Sequence, residues 1–217
     1  MRVYKFLNAK YGLEALEKRR LKIARINELN DPFELLGTDL SDRELRRAFM
    51  GMKNASNEDR GLLCFSKRWR NPVLWSHYAD GHQGLCLGFD VPDHFLMNVT
   101  YTTKRVKSDK LFSNDQSVRE REMTRLLSTK FSHWRYENEV RCFVGLEDKD
   151  PDSGHYFYAF SDDMKIQQVL VGAEASVSRQ DVERALGDKN AHVQRLKTRA
   201  SFQTFKVVRN RKQSLWR

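Results

Sequence analysis

Two short runs in the chain, residues 61–66 (GLLCFS) and 84–89 (GLCLGF), are apolar almost from end to end. Six residues suit a strand better than a helix, and a strand that lacks polar alternation has to be buried. Residues 138–145 (NEVRCFVG) have a similar character. The chain is therefore predicted to fold around buried strands.

Further strands and helices are predicted in an irregular order. Short strands are expected at residues 2–6, 21–26, 99–103, 156–160 (paired with 138–145), 166–172, 192–197 and 202–208. Helices are expected at residues 10–20, 41–52, 72–80, 115–130 and 178–186. Because strands outnumber helices without alternating regularly with them, we predict an α+β fold of mostly antiparallel sheets with flanking helices.

The length and the distribution of apolar residues are typical of a single domain without a membrane helix. The 217 residues fit one domain, predicted over 1–217, with a basic segment from about residue 197. No apolar run approaches the roughly 20 residues of a membrane helix. Residues 1–6 (MRVYKF) resemble a strand rather than a signal peptide, so we expect a cytoplasmic protein without a membrane partner, leaving non-classical export open.

A net charge of +10 points to a polyanionic partner such as nucleic acid. No acidic residue follows Asp188, and the candidate phosphate contacts in this segment are Lys206, Arg209, Arg211 and Lys212. A merely solubilising basic segment explains the same pattern. The basic and aromatic residues 67–70 (KRWR) offer a second candidate surface for nucleic acid.

The cysteines and histidines do not predict a metal site. Cys64, Cys86 and Cys142 are widely spaced among apolar residues, which is typical of buried strand positions. Paired zinc spacings are missing from the sequence, and only His77, Asp80 and His82 hint at the cluster a metal-dependent nuclease needs.

Common nucleotide-binding and hydrolase motifs are absent, which leaves four polar clusters beside strand ends. Each cluster has a structural and a functional interpretation. Lys5 is an edge cation or a ligand contact, and residues 30–34 (NDPFE) are a capped helix start or a ligand-contacting turn. Ser66 with Trp75, His77 and Tyr78 forms part of the core or a stacking surface, and Glu137 with Glu139 forms a surface ion pair with a cation or a reactive pair of carboxylates.

The carboxylates are the most informative cluster. Glu137 and Glu139 stand two residues apart, so on an extended chain they would point to the same side. Such a pair repels unless it is neutralised by cations such as Arg135 or Arg141, and the repulsion raises one pKa. Paired carboxylates can bind a sugar hydroxyl and stabilise positive charge on an anomeric carbon.

Two resemblances follow from the ordered motifs YKF, NDPFE, CFS, LWSHYADGHQGLCLGF and WRYENEVR. From about Tyr4 to Gly172 the chain resembles an uncharacterised bacterial family of domains of unknown function. The same order is similar to that of ADP-ribosyltransferases, which carry a basic residue on a first strand, a serine or aromatic strand with a following helix, and a late ExE motif. That second resemblance implies an ADP-ribosyltransferase-like fold.

It also implies site residues. Glu139 would hold the nicotinamide ribose of NAD and stabilise its oxocarbenium ion, and Glu137 would position or deprotonate the acceptor. Ser66 and its strand would hold the nicotinamide ribose or flank the nicotinamide, and Tyr78 or Trp75 would stack on the nicotinamide ring. Lys5 would replace the family's usual Arg or His, with His77 as the alternative cofactor contact.

The resemblance therefore implies an NAD-dependent ADP-ribosyltransferase that acts on nucleic acid, protein or water. A toxin or phage-defence effector with an antitoxin or immunity partner fits the same activity. The alternatives are a non-catalytic nucleic-acid-binding module and a nuclease. Glu139 should matter to an enzyme, and the basic segment to a binding module.

Overall fold

A computed structural model of the protein describes residues 1–31, 33, 37–105 and 109–216. The α+β prediction is confirmed, because the sheet is mixed and mostly antiparallel and helices pack against it. The helices are α1 (Ala9–Glu17), α2 (Arg43–Asp59), α3 (Pro72–Tyr78), α4 (Gln116–Leu127) and α5 (Arg179–Leu186). No helix in the described ranges is both long and apolar enough to cross a membrane.

The strands β1 to β7 are Arg2–Leu7, Arg20–Lys22, Ala24–Arg25, Arg60–Ser66, Leu85–Asp90, Met97–Asn98 and Thr100–Thr102. The strands β8 to β13 are Thr129–Phe131, Glu139–Gly145, Phe157–Ala159, Lys165–Val171, Gln194–Ala200 and Val207–Arg209. Within the described residues, the main sheet has the order β13-β12-β11-β5-β1-β4-β9-β6, and β3 also pairs with β4. Two smaller pairs, β10 with β2 and β7 with β8, lie outside it.

The main sheet opens between β1 and β4. Strand β1 pairs along its whole length with β5, and β4 pairs along its whole length with β9. Between β1 and β4, by contrast, the paired register is a single position, Tyr4 opposite Ser66. The sheet therefore separates into two halves beyond this position, where the backbones of β1 and β4 are not paired with each other.

The buried strands predicted from the apolar runs are confirmed. In β5, Leu85, Leu87 and Phe89 lie in one hydrophobic core and Cys86 in another, so both faces of the strand are covered. The second core includes Trp75 of α3. All three cysteines are free, and Cys86 and Cys142 are buried as expected, whereas Cys64 is only half-buried.

Several predicted boundaries were wrong. Helix α4 ends at Leu127 rather than at residue 130, because the Thr129 hydroxyl donates to Arg125 O (2.6 Å) and the chain then extends into β8. Helix α2 runs beyond residue 52 to Asp59. Strand β10 pairs with β2 rather than with the strand at residues 138–145.

The predicted last strand was also too long. Only Val207–Arg209 of that stretch is a strand, and residues 202–206 form the loop between β12 and β13. The basic end is not a loose tail, because the buried Trp216 indole donates to Val177 O (2.9 Å). Lys197 likewise donates to Ala175 O (2.6 Å), and burial lowers its pKa.

Candidate active site

A cavity of about 230 Å³ lies at the junction where the sheet opens. The first half of the sheet and α3 contribute Tyr4, Lys5, Phe6 and Tyr78 to its wall. The second half contributes Cys64, Phe65, Ser66 and Glu139, and the segment before β9 contributes Lys130 and Glu137. The cavity therefore brings together residues that are separated by most of the chain.

The two carboxylates meet in this wall, although not by the predicted route. Glu137 ends a short 3₁₀ helix (Ser132–Glu137), Glu139 begins β9, and Asn138 between them is left-handed with φ 46°. The expectation of an extended chain was therefore wrong, and asparagine is among the few residues that adopt this conformation readily. Both carboxylates are buried, and Lys130 Nζ donates to Glu137 Oε2 (2.6 Å) and Glu139 Oε2 (3.2 Å).

Glu139 is fixed as an anion by cations on both sides. Arg141, which is fully buried, donates from Nε to Oε1 (2.9 Å) and from Nη2 to Oε2 (3.2 Å) of Glu139. Burial alone would raise the pKa of Glu139, but the charges of Arg141 and Lys130 outweigh it and lower the pKa to about 2. The carboxylate is therefore ionised at neutral pH.

This low pKa predicts an acid-dependent stability. Because the pKa of Glu139 falls from 4.5 to about 2 on folding, its contribution is present above pH 4.5 and is lost as the pH falls toward 2. That contribution is roughly 3 kcal/mol. The difference in unfolding free energy between wild type and Glu139→Gln should therefore shrink between pH 5 and pH 3 in urea titrations. A difference that stays constant with pH would contradict the assignment.

Glu137 has the opposite shift. Burial raises the pKa of Glu137, and neither the charge of Lys130 nor the hydrogen bonds from Lys130 and Tyr78 fully offset this effect. The Tyr78 hydroxyl donates to Glu137 Oε1. The environment thus pushes the two pKa values apart, which leaves one permanent anion and one carboxyl that exchanges a proton more readily.

Tyr78 is held between Glu137 and Asn30 by hydrogen bonds of its hydroxyl group. It is the last residue of α3, and its hydroxyl accepts a hydrogen bond from Asn30 Nδ2 (2.7 Å). Burial and the neighbouring Glu137 charge raise the pKa of Tyr78, so the phenol keeps its proton and remains a donor. Asn30 also lines the cavity, in line with a ligand-contacting turn, whereas Pro32 and Glu34 of that motif lie outside the described residues.

Lys5 on β1 and Ser66 on β4 both line the cavity. Lys5 Nζ donates to Cys64 O (3.1 Å), and Lys5 has no ion-pair partner among the described residues. The buried Ser66 hydroxyl contacts Glu137 O (2.6 Å) and accepts from Arg68 N (3.1 Å). Lys5 is therefore a cation available to a ligand, while Ser66 fixes the backbone that carries Glu137.

Two predicted contacts are not brought to this cavity. Trp75 is completely buried, with its ring edge against Phe6 (5.3 Å between centroids) and its indole donating to Trp69 O (2.6 Å). Stacking of a ligand on Trp75 is thus wrong for this structure, because three residues of helix separation do not guarantee equal exposure. His77 is exposed, lies beside the Tyr136 ring (5.9 Å) and is not among the cavity residues.

Sequence reasoning missed Lys130, the cation that joins both carboxylates. The charged stretch at residues 115–130 was predicted to be an amphipathic helix with Lys130 as its last residue, whereas Lys130 is buried in β8. Alternation of Thr129 and Phe131 around it was the available signal, because β-branched and aromatic residues favour strands. Arg141 was considered only as a surface partner, yet it is buried.

The four candidate phosphate contacts of the basic segment do not lie on one surface. Lys206 lines a second groove near the cavity, while Arg209, Arg211 and Lys212 are exposed but do not line it. Arg217 lies outside the described residues. Across the described ranges, no group of three or more His, Cys, Asp and Glu side chains is arranged to hold a metal ion.

Comparisons with known proteins reach only the family level. Residues 74–142 match the model of a family described as protein of unknown function (DUF2971). The predicted resemblance to an uncharacterised family is thus confirmed. The matched stretch includes Tyr78, Lys130 and both carboxylates, while Lys5 and Ser66 precede it. No curated protein and no solved structure matches the chain significantly.

Proposed function

We propose that this cavity binds NAD and that the protein cleaves the bond between nicotinamide and ribose, transferring ADP-ribose to an acceptor. One observation carries the proposal: five of the seven catalytic and cofactor-binding candidates named from the sequence, Lys5, Ser66, Tyr78, Glu137 and Glu139, line one cavity. These residues are spread from position 5 to position 139 of the sequence, so their proximity depends on the tertiary fold. The opening of the sheet between β1 and β4 supplies the space.

The cavity suits the nicotinamide riboside end of NAD. Its volume of about 230 Å³ is smaller than the roughly 300–1,000 Å³ of pockets that enclose a whole drug-sized ligand. The cavity would therefore hold one end of NAD rather than the whole molecule. Lys5 also borders a neighbouring cavity of about 500 Å³, so phosphates could meet its ammonium group between the two spaces. Tyr78 lines the cavity, and an aromatic ring attracts a cation such as the positively charged nicotinamide ring.

The chemistry follows from the two carboxylates. The C–N bond between ribose and nicotinamide breaks, its electron pair goes to the nicotinamide nitrogen, and neutral nicotinamide leaves an oxocarbenium ion on the ribose. Glu139, ionised at neutral pH, places a fixed negative charge in the wall beside it. The acceptor then forms a bond to the ribose carbon, and its proton passes to the ionised form of Glu137.

Release of nicotinamide from NAD by the purified protein, followed by chromatography, is the direct test. A thermal-shift titration with NAD measures binding separately, because a ligand that binds only the folded state raises the melting temperature. If millimolar NAD neither raises the melting temperature nor yields nicotinamide, the proposal is refuted.

Replacement of Lys5 by methionine is expected to weaken NAD binding about ten-fold, because the neutral side chain keeps its length but loses the cation that meets a phosphate. Lys10→Met, on the exposed side of α1 away from the cavity, is the control and should bind NAD as wild type does. The dissociation constants are measured by calorimetry. Equal affinities for the Lys5 variant and wild type would remove Lys5 from the site.

A further inference from the structure

A groove of about 730 Å³ runs beside the carboxylate pair. Its walls come from residues 67–72 after β4, the end of the 3₁₀ helix before β9, and the loop between β12 and β13. Backbone contacts connect these walls: Val207 N donates to Arg70 O (2.9 Å), and Lys67 N donates to Asn138 O (3.0 Å). Asn71 Nδ2 also donates to Tyr136 O (2.9 Å). The groove is therefore assembled from segments that hold one another.

The charge of the groove has one sign. Its basic side chains are Lys67, Arg68, Arg70, Arg135 and Lys206. Among the described residues that line it there is no acid, and none of these cations forms an ion pair within the described part of the chain. Unpaired cations of like charge repel one another, so their clustering favours a polyanion as the occupant.

Aromatic rings alternate with these cations. Trp69, Tyr136 and Phe205 line the groove, and Arg70 lies over the Trp69 ring at 5.2 Å. Phe205 is 99% exposed, so its ring contributes almost nothing to the core. Exposed rings among cations are typical of surfaces on which unpaired bases stack while the phosphates meet Lys and Arg. In a duplex the base faces are covered by their neighbours, so such rings have no comparable partner there.

We infer that this groove binds single-stranded nucleic acid and presents it to the carboxylates as the acceptor of ADP-ribose. Asn138, the residue between Glu137 and Glu139, lines the groove, and Tyr4 borders both groove and cavity. A nucleophilic base or sugar atom of the bound strand would replace nicotinamide on the ribose carbon and give its proton to Glu137. The acceptor role rests on the proposed function, whereas strand binding does not.

The two exposed phenylalanines of one loop provide a matched test of stacking. Phe205 lines the groove, while Phe202 is 90% exposed in the same loop but does not line it. Fluorescence anisotropy with a labelled single-stranded dodecamer should show Phe205→Ala binding at least about five-fold more weakly than wild type, since a stacked base is worth on this order. Phe202→Ala should bind as wild type does. Equal affinities for both variants would overturn the stacking surface.

Salt dependence separates the groove from the general positive charge. A triple variant, Lys67→Gln, Arg70→Gln and Lys206→Gln, should flatten the log-log salt slope of single-strand binding by about 2, at about 0.7 per phosphate contact. The control triple variant, Arg209→Gln, Arg211→Gln and Lys212→Gln, removes the same charge outside the groove and should leave most of the slope. Equal slopes for the two variants, or equally tight binding of duplex, would overturn the inference.

The acceptor role and the proposed function fail in different ways. Wild type is incubated with NAD and the dodecamer, nicotinamide is quantified, and the oligonucleotide is analysed by mass spectrometry. Strand binding that depends on Phe205 without any nicotinamide release would refute the proposed function and leave the groove. Nicotinamide release with an unmodified oligonucleotide would overturn the acceptor role, and an ADP-ribosylated oligonucleotide would support both.

Discussion

Replacing Arg141 by methionine is expected to lower the free energy of unfolding by about 3–5 kcal/mol, which is the usual cost of removing one partner of a buried ion pair. Arg141 is fully buried, donates two hydrogen bonds to Glu139 and a third to Leu127 O (2.8 Å). Methionine fills a similar space but leaves the Glu139 carboxylate with less compensation. Urea unfolding followed by circular dichroism measures the loss.

Arg135→Met is the control for this prediction. Arg135 lies in the 3₁₀ helix before β9 and is exposed, with its guanidinium over the Tyr101 ring at 5.7 Å. Its replacement should change the unfolding free energy by less than about 1 kcal/mol. A small loss for Arg141→Met as well would mean that Arg141 does not hold the carboxylate pair.

The double variant Glu139→Gln with Arg141→Met tests the pairing itself. Because both charges are then removed, the double variant should be less destabilised than the sum of the two single variants. Additive losses would indicate that Glu139 and Arg141 contribute independently. Lys130 remains beside Glu137 in every variant, so the comparison isolates the contact on the β9 side.

The sequence was most informative where burial determines local structure. Strands β4 and β5 were recognised from their apolar runs, and α3 was expected at residues 72–80 and lies at Pro72–Tyr78. These signals are local, because apolar continuity and capping residues act within one segment. The pairing of β10 with β2 was not predictable in this way, since it depends on contacts between residues far apart in sequence.

In the candidate site, too, local patterns were predictable and long-range contacts were not. Motif order identified Lys5, Tyr78 and both carboxylates as candidates, and all of them line one cavity. The neutralising partners were missed, because a charged residue such as Lys130 at the end of a polar stretch favours an exposed helix by pattern alone. Only the tertiary structure shows that β8 carries it inward to two buried acids. Burial of an ion pair is a property of the fold, not of a local pattern.

Glu137 offers a cleaner test of the chemistry than Glu139. Glu139→Gln would leave the buried Arg141 without its full partner, so lost activity could not be separated from lost stability. Burial raises the pKa of Glu137 whereas that of Glu139 is lowered, so the neutral side chain of glutamine should cost less stability at position 137 than at position 139. Its amide oxygen can still accept from the Tyr78 hydroxyl or from Lys130.

Glu137→Gln is expected to lower nicotinamide release by about 10²-fold or more, because the amide cannot take the proton of the acceptor and a positioned general base contributes about 10²–10⁴-fold. In wild type the rate should rise with pH through the pKa of Glu137, which lies above 4.5, since the base acts in its ionised form. The residual rate of the variant should lose that rise.

The control is Glu147→Gln, which removes an exposed carboxylate just beyond β9 and should turn over NAD as wild type does. Thermal shift with NAD is measured for both variants, so that weakened binding is not mistaken for slowed chemistry. Turnover by Glu137→Gln within two-fold of wild type would show that the proton goes elsewhere. The ionised Glu139 would then be the remaining carboxylate for the oxocarbenium ion.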